Sequence, residues 1–177
     1  MKVISLNIRG LGIQVKKEWV KELCRTELPC IIGIQETKLN EVASQTVGSL
    51  WGMNDVGNSG GLLTIWNKNV FHGQFVVKDK NFLAVIGKWE KKDGLIGCVN
   101  VYGPNDYPDR AALWSKLDYL CDKKEVSWLF FGDFNEVRNP QERLNSGSSK
   151  RGMEDFNEFI RRNNLEEIAL GGTSSQV

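Results

Sequence analysis

Apolar and polar positions in this chain follow patterns that predict interleaved strands and helices. Val3–Leu6 is a short β-prone run that gives way to a turn-like Arg9-Gly10-Leu11-Gly12. Val15, Trp19, Val20 and Leu23 then recur at helical spacing. Lys16, Lys17, Glu18, Lys21 and Glu22 take the other face, which predicts an amphipathic helix with the apolar set inward. Pro29 follows, and Cys30–Ile34 predicts a buried strand. Residues 41–51 are ambiguous, with helix as the better fit. Gly60–Trp66, Gln74–Val77, Phe82–Trp89 and Leu95–Tyr102 predict four further strands, the last two joined by a hairpin turn at Lys91-Lys92-Asp93-Gly94.

Pro104 and Pro108 mark a loop. Asp109 or Arg110 opens a predicted helix that runs to about Leu120, with Leu113, Leu117 and Leu120 on one face. Trp128–Phe131 predicts a strand, and residues 138–151 a long polar loop. Met153 to about Asn163 predicts a helix with Met153, Phe156, Phe159 and Ile160 inward, and Ile168–Leu170 the start of another strand. Interleaved strands and helices place the fold in the α/β or α+β class. The 177 residues suit one domain with one core, and neither repeats nor a long linker interrupt it.

Composition narrows the function classes. Hydrophobic content of 41% and charged content of 25% are those of a globular protein, not a disordered or fibrous one. A net charge of +1 argues against a protein that holds nucleic acid by a strong basic field, but leaves room for an enzyme that touches a few phosphates. Cys24, Cys30, Cys98 and Cys121 form no CxxC pair, and the single histidine, His72, is distant from them in sequence. This argues against a zinc site and for reduced, mostly buried thiols. His72 reads as a loop histidine, exposed or half-buried, and Trp66, Trp114 and Trp128 as core aromatics. The N-terminal run is too short and too polar for a signal peptide, and no stretch reaches the length of a membrane span. An intracellular protein is expected.

Four apolar runs end in residues suited to phosphate or metal chemistry. Val3–Leu6 ends at Asn7, Ile31–Ile34 at Gln35-Glu36, Val99–Val101 at Tyr102, and Leu129–Gly132 at Asp133-Phe134-Asn135. Strand tips at one rim of a sheet are common ligand sites. Residues two apart on a strand share a face, so Asp133 and Asn135 can point into one cleft. Phosphodiester hydrolysis needs a hard cation, an oriented water and donors for the charge that builds on phosphorus. Mg²⁺ takes oxygen ligands and keeps several waters, so one or two carboxylates suffice. On that chemistry Glu36 is the candidate metal ligand and Asp133 the candidate water-orienting group. Asn7, Asn135 and Tyr102 offer donors or oxygens around a phosphate. Taken singly, Asp133, Asn135, Tyr102 and Asn7 read more readily as turn, cap or strand-end residues, and Glu36 equally well as a loop-start carboxylate; the set in this order is what carries the reading.

The same segments resemble a known family. Ser5-Leu6-Asn7-Ile8-Arg9-Gly10-Leu11, Gln35-Glu36-Thr37-Lys38, Asn100-Val101-Tyr102-Gly103-Pro104 and Gly132-Asp133-Phe134-Asn135 resemble the motifs of the endonuclease/exonuclease/phosphatase superfamily. Ser59-Gly60-Gly61-Leu62, the Leu113-Trp114 helix and Arg151-Gly152-Met153 with Phe156 resemble the endonuclease domain of LINE-type non-LTR retrotransposon polyproteins, especially those of plants. The resemblance implies an α+β, DNase I-like sandwich of two mixed β-sheets flanked by helices. It implies Mg²⁺, with Mn²⁺ as a substitute, bound by Glu36 and Asn7. Tyr102 and Asn135 would stabilise the pentacovalent phosphorus, and Asp133 would align the water. DNA would be the substrate; Arg9, Arg138, Arg143, Lys150 and Arg151, near the proposed rim or in the long polar loop, are candidate phosphate contacts, with solvated loop charges as the alternative. The resemblance further implies a monomer, a nuclear setting for an active enzyme, and a reverse transcriptase domain in the parent polyprotein.

The family's Ser-Asp-His motif has no counterpart after Leu170. The expectation is therefore a domain spanning 1–177 that is incomplete at its C-terminus, with part of its core uncovered and impaired activity. Two rival readings stay open: another superfamily member acting on abasic sites or small phosphate esters, and a non-catalytic remnant acting at most as a binding module.

Overall fold

The computed structural model describes residues 1–39, 54–142 and 150–168. Two compact units divide the chain, Met1–Asn135 and Glu136–Val177.

The first unit is built on two four-stranded mixed sheets. One sheet holds β1 (Val3–Asn7), β2 (Ile31–Gln35), β3 (Asn54–Ser59) and β4 (Leu62–Asn67) in the order β1-β2-β4-β3. The other holds β5 (Phe71–Lys78), β6 (Phe82–Trp89), β7 (Leu95–Tyr102) and β8 (Val126–Asp133) in that order. Within each sheet one pair is parallel. β1 runs with β2, so Asn7 lies beside Gln35, and β7 runs with β8, so Tyr102 lies beside Asp133. The other pairs are antiparallel.

Side chains of β2, β4, β6 and β7 alternate between two buried faces, as the near-continuous apolar runs require. Ile31, Trp66, Phe71, Val85, Ile96 and Cys98 fill the space between the sheets. On the outer face of the first sheet, Ile32, Ile34, Leu63 and Ile65 pack with Ile8, Leu11 and Val20 under α1 (Gln14–Glu27). On the outer side of the second sheet, Leu113, Trp114, Leu117 and Leu120 form the buried stripe of α2 (Tyr107–Cys121), and Lys116 pairs with Asp79 at 2.6 Å. The result is the expected helix–sheet–sheet–helix arrangement, a DNase I-like α+β fold.

Several sequence expectations shift in detail. The helix over Gln14–Glu27 buries only Val20 fully; Val15 and Trp19 are 71% and 52% exposed. Its inner face is instead completed by Leu23 and Cys24, because 100° per residue brings positions 20, 23 and 24 together and turns 15 and 19 outward. His72 lies on β5 opposite Lys88 rather than in a loop, and is exposed. Gly60 and Gly61 form the turn of a hairpin whose first strand, β3, is too polar to show as a strand in sequence. Of the four thiols, all free, only Cys98 is fully buried. Trp66 and Trp114 are core residues, whereas Trp128 is half-buried on the edge strand β8. The expected helix over 41–51 lies outside the described residues.

The second unit contains a short 3₁₀ turn, Pro140–Glu142, and α3 (Lys150–Arg162), which begins three residues before the predicted start. Phe156 and Phe159 are buried on the helix. Arg138 is held by partners within this unit. Its carbonyl accepts from Asn157 at 2.9 Å, and its guanidinium reaches Glu167 at 2.9 Å. Ile168 is not in a strand; the rest of that predicted strand lies outside the described residues.

Candidate active site

Four strand tips converge where the two sheets meet at one rim. Asn7 closes β1, Glu36 follows β2, Tyr102 closes β7 and Asp133 closes β8. All four belong to the first unit. The parallel pairs put two tips from each sheet at the same end.

Asn7 ties the two sheets together. Its Nδ2 donates to Glu36 Oε1 at 2.9 Å and to Asp133 Oδ2 at 2.8 Å. The two carboxylates, from different sheets, therefore lie no further apart than these two bonds laid end to end. The Tyr102 hydroxyl faces the Glu36 carboxylate within interaction reach. The hydrogen bond from Asn7 holds the Glu36 carboxyl below its usual range against the opposing effect of burial; Tyr102, Arg9 and Lys38 add to that lowering. Burial, followed by the bond to Glu36 and the charges of Glu36 and Asp133, pushes the Tyr102 phenol up to about 12. Tyr102 is thus a neutral donor near neutral pH, and Glu36 an anion.

The backbone that presents these groups is held in an unusual conformation. Four of the six described non-glycine residues at positive φ cluster here: Arg9 (47°), Glu36 (54°), Lys38 (53°) and Asn135 (50°). A left-handed residue other than glycine costs roughly 1–2 kcal/mol, and such strain persists only where the surroundings fix it. The surroundings do so. Past the ends of β1 and β2 the ladder continues through Gly10 N to Glu36 O at 2.6 Å and Leu11 N to Thr37 O at 2.8 Å. Thr37 N donates to Gly61 O at 2.9 Å, which seats the segment on the β3–β4 hairpin.

Asp133 and Asn135 are braced on the other side. Asn135 N donates to Asp133 Oδ1 at 3.0 Å, closing an Asx turn, and Asn135 Nδ2 donates to Gly103 O at 2.6 Å. Gly103 N donates to Asp133 O at 2.7 Å. A Cβ on Gly103 would lie 2.0 Å from Phe134 O, so only glycine permits this crossing. Tyr102 is held by the β5–β6 turn through Asn81, whose carbonyl accepts from Tyr102 N at 2.8 Å. Buried Arg110 donates to the carbonyls of Pro104 and Asn105 and fixes the loop beyond Tyr102.

The donor set can be matched to a cation. Among the described residues no three of His, Cys, Asp and Glu come together, and the rim carries two carboxylates and an amide with neither sulfur nor imidazole. An all-oxygen set with two carboxylates fits a hard, water-retaining divalent ion such as Mg²⁺ and does not fit zinc.

Of the basic candidates, Arg9 is exposed at this rim and acts on both Glu36 and Tyr102 through its charge. Arg138, Lys150 and Arg151 belong to the second unit, where Arg138 bonds Glu167 and Lys150, largely exposed, lies 3.9 Å from Glu154. Arg143 lies outside the described residues. His72 is two strands from β7 and level with its start, at the opposite end from Tyr102. The bracing residues Asn81 and Arg110 carried no sequence signal of their own; only their position near the strand tips could have drawn attention to them.

A fold of this kind with paired acidic tips at a sheet rim defines a phosphoesterase-type hydrolase scaffold. The model of the Endonuclease/Exonuclease/phosphatase family matches residues 4–166, and the chain belongs to that family. Among solved structures, an AP endonuclease, LMAP, from Leishmania major superposes with a TM-score of 0.67 at 18% identity, covering 92% of this chain and 66% of that one. A 3′ phosphatase, NExo, from Neisseria, bound to a product DNA hairpin, gives 0.64 at 18% identity over 91% of this chain and 70% of that one. A conserved protein of unknown function from Enterococcus faecalis V583 gives 0.64 at 15% identity over 89% and 72%. No curated protein matches the chain in sequence.

Proposed function

We propose that this chain carries the site of a Mg²⁺-dependent phosphodiesterase that nicks DNA, as the endonuclease domain of a LINE-type non-LTR retrotransposon protein. The observation that carries the reading is the single amide of Asn7 shared between Glu36 and Asp133, which draws two carboxylates from separate sheets to one point. Nuclease and phosphatase relatives of the same fold, one of them bound to DNA, support the substrate class. The LINE assignment rests on the sequence segments around Ser59–Leu62, Leu113-Trp114 and Arg151–Phe156.

Glu36 and Asn7 would hold the ion, with Mn²⁺ as an alternative. When bound, the ion supplies Lewis-acid stabilisation of charge on the phosphate oxygens. Asp133, fixed by Asn7 and by the Asn135 amide, aligns a water for attack on phosphorus. The water oxygen forms the new P–O bond as the bond to the leaving sugar oxygen breaks. Tyr102, kept protonated by burial and by Glu36, donates to a phosphoryl oxygen as negative charge builds. Asn135 holds the Asp133 turn through its backbone N–H, with its side-chain amide on Gly103 O. Arg9 neutralises a neighbouring phosphate.

The only histidine is remote from this rim, and an imidazole base is typically worth about 10²–10⁴-fold. Turnover by this chain alone is therefore expected to be slow, and a binding module without turnover is the second reading that this placement favours. The test is nicking of supercoiled plasmid by the purified chain, with Mg²⁺ and with chelator, beside Asp133→Ala. Metal-dependent nicking lost in the variant establishes the nuclease site. DNA binding without nicking, from a folded chain, establishes the second reading. Equal turnover of small phosphate esters would move the assignment to a phosphatase.

A further inference from the structure

One layer below the rim the space between the sheets is apolar except at one place. Gln35 and Asn100 are 1% and 0% exposed, and Gln35 Nε2 donates to Asn100 Oδ1 at 2.6 Å. Gln35 lies on β2 of the first sheet and Asn100 on β7 of the second, 65 residues apart. Asn100 Nδ2 reaches further across to the first sheet, to Leu63 O at 3.1 Å and Thr64 Oγ1 at 3.2 Å. Gln35 Nε2 also meets Ser5 Oγ at 3.2 Å on β1. Room for the crossing comes from Gly33, where a Cβ would lie 2.9 Å from Asn100 Cγ and 2.3 Å from the Phe131 ring.

Apolar packing between sheets is non-directional and tolerates sliding, whereas a buried amide pair is satisfied in one register and costs free energy in any other. The pair sits in register with the site. Gln35 immediately precedes Glu36. Asn100 is two residues before Tyr102, and Ser5 two before Asn7, each on the same strand face about 7 Å below the rim. Just above, the Asn7 amide joins Glu36 of the first sheet to Asp133 of the second, and the Tyr102 hydroxyl lies within interaction reach of Glu36.

The geometry points to Gln35 and Asn100 as positioning residues: their hydrogen bond pins β2 to β7 so that Glu36 and Tyr102 meet across the sheets. This rests on the nuclease reading for its kinetic consequence but not for its structural one.

Gln35→Met and the reciprocal exchange Gln35→Asn with Asn100→Gln, which restores an amide pair of the same combined length, test it in two ways. In plasmid nicking, Gln35→Met is expected to lower kcat by about 10–100-fold and to raise the Mg²⁺ concentration for half-maximal rate. KM for DNA should stay within about twofold, and the exchange should recover much of the loss. In crystal structures, Glu36 and Tyr102 should be parted in Gln35→Met and rejoined in the exchange. A folded Gln35→Met that nicks like the wild type, or that keeps Glu36 and Tyr102 together, overturns the inference. A purely structural pair would lower Tm and leave kcat and the metal requirement of the folded chain unchanged. A wild-type chain that does not nick refutes the nuclease reading, and the crystallographic comparison then decides the pin by itself. Should Gln35→Met not fold, Thr64→Val, which removes one partner of Asn100, provides the same two measurements.

Discussion

Asn7 is exposed, sits at the end of a five-residue strand and has the side chain of an ordinary turn former, yet its amide joins residues 29 and 126 positions away. Asn7→Ala removes the leading cause of the lowered Glu36 pKa. It should raise the Mg²⁺ needed for half-maximal nicking by at least about tenfold, measured by metal titration of the nicking rate. A group with a depressed folded pKa stabilises the fold above its ordinary value, and loses that contribution as pH falls through the folded value. Urea midpoints between pH 3 and 6 should therefore depend less on pH in Asn7→Ala than in the wild type. Tyr102 has the opposite sign. Its pKa is raised from 10.0 to about 12, so its contribution is complete below pH 10 and is lost as pH rises towards 12. The stability difference between wild type and Tyr102→Phe should shrink over that interval, and a difference independent of pH there would refute the burial of the phenol beside Glu36 and Asp133.

At the scale of elements, the strands were legible because their apolar runs are long and their punctuation clear. Phe82–Trp89 and Leu95–Tyr102 are observed with the predicted limits, since both are buried on two faces and bounded by the Lys91–Gly94 turn. β3 was illegible because Asn54-Asp55-Val56-Gly57-Asn58-Ser59 has neither alternation nor β-propensity and forms by pairing with β4. The outward turn of Val15 and Trp19 was illegible for another reason. Two adjacent apolar stripes run along α1, and the sheet beneath decides which is used. The loop between β7 and α2 depends on one close crossing. Gly103→Ala should place a methyl against Phe134 O and push the Tyr102 and Asp133 tips apart. The expected cost is about 2–4 kcal/mol by urea denaturation, with loss of nicking; an unaltered midpoint would mean the two tips tolerate separation.

At the scale of the whole molecule, the charge balance sets how DNA is held. With a net charge of +1, and Arg9 the predicted contact that the first unit carries at the rim, few phosphates are expected to be neutralised. Each neutralised phosphate contributes about −0.9 to the slope of log K against log salt. The expected slope for duplex DNA is therefore shallower than about −4. A slope near −8 would require several further cations, such as Arg138, Lys150 and Arg151, to contact phosphates as well. No helix among the described residues is long and apolar enough to cross a membrane.

What the sequence determined by itself was local: where the apolar strands and the helices run, and that four of the strands lead into Asn7, Glu36, Tyr102 and Asp133. Those features depend on neighbours within a few residues, where hydrophobic period and turn chemistry act. Which groups touch was decided by tertiary structure alone. The meeting of Asn7 with Asp133 and the crossing of Gln35 to Asn100 follow from packing one sheet on another, and the left-handed turn at Glu36 from its seat between β1 and the β3–β4 hairpin. A hydrogen bond across 65 or 126 residues leaves no period or spacing in the chain, because its partners are brought together by the burial of the apolar residues around them.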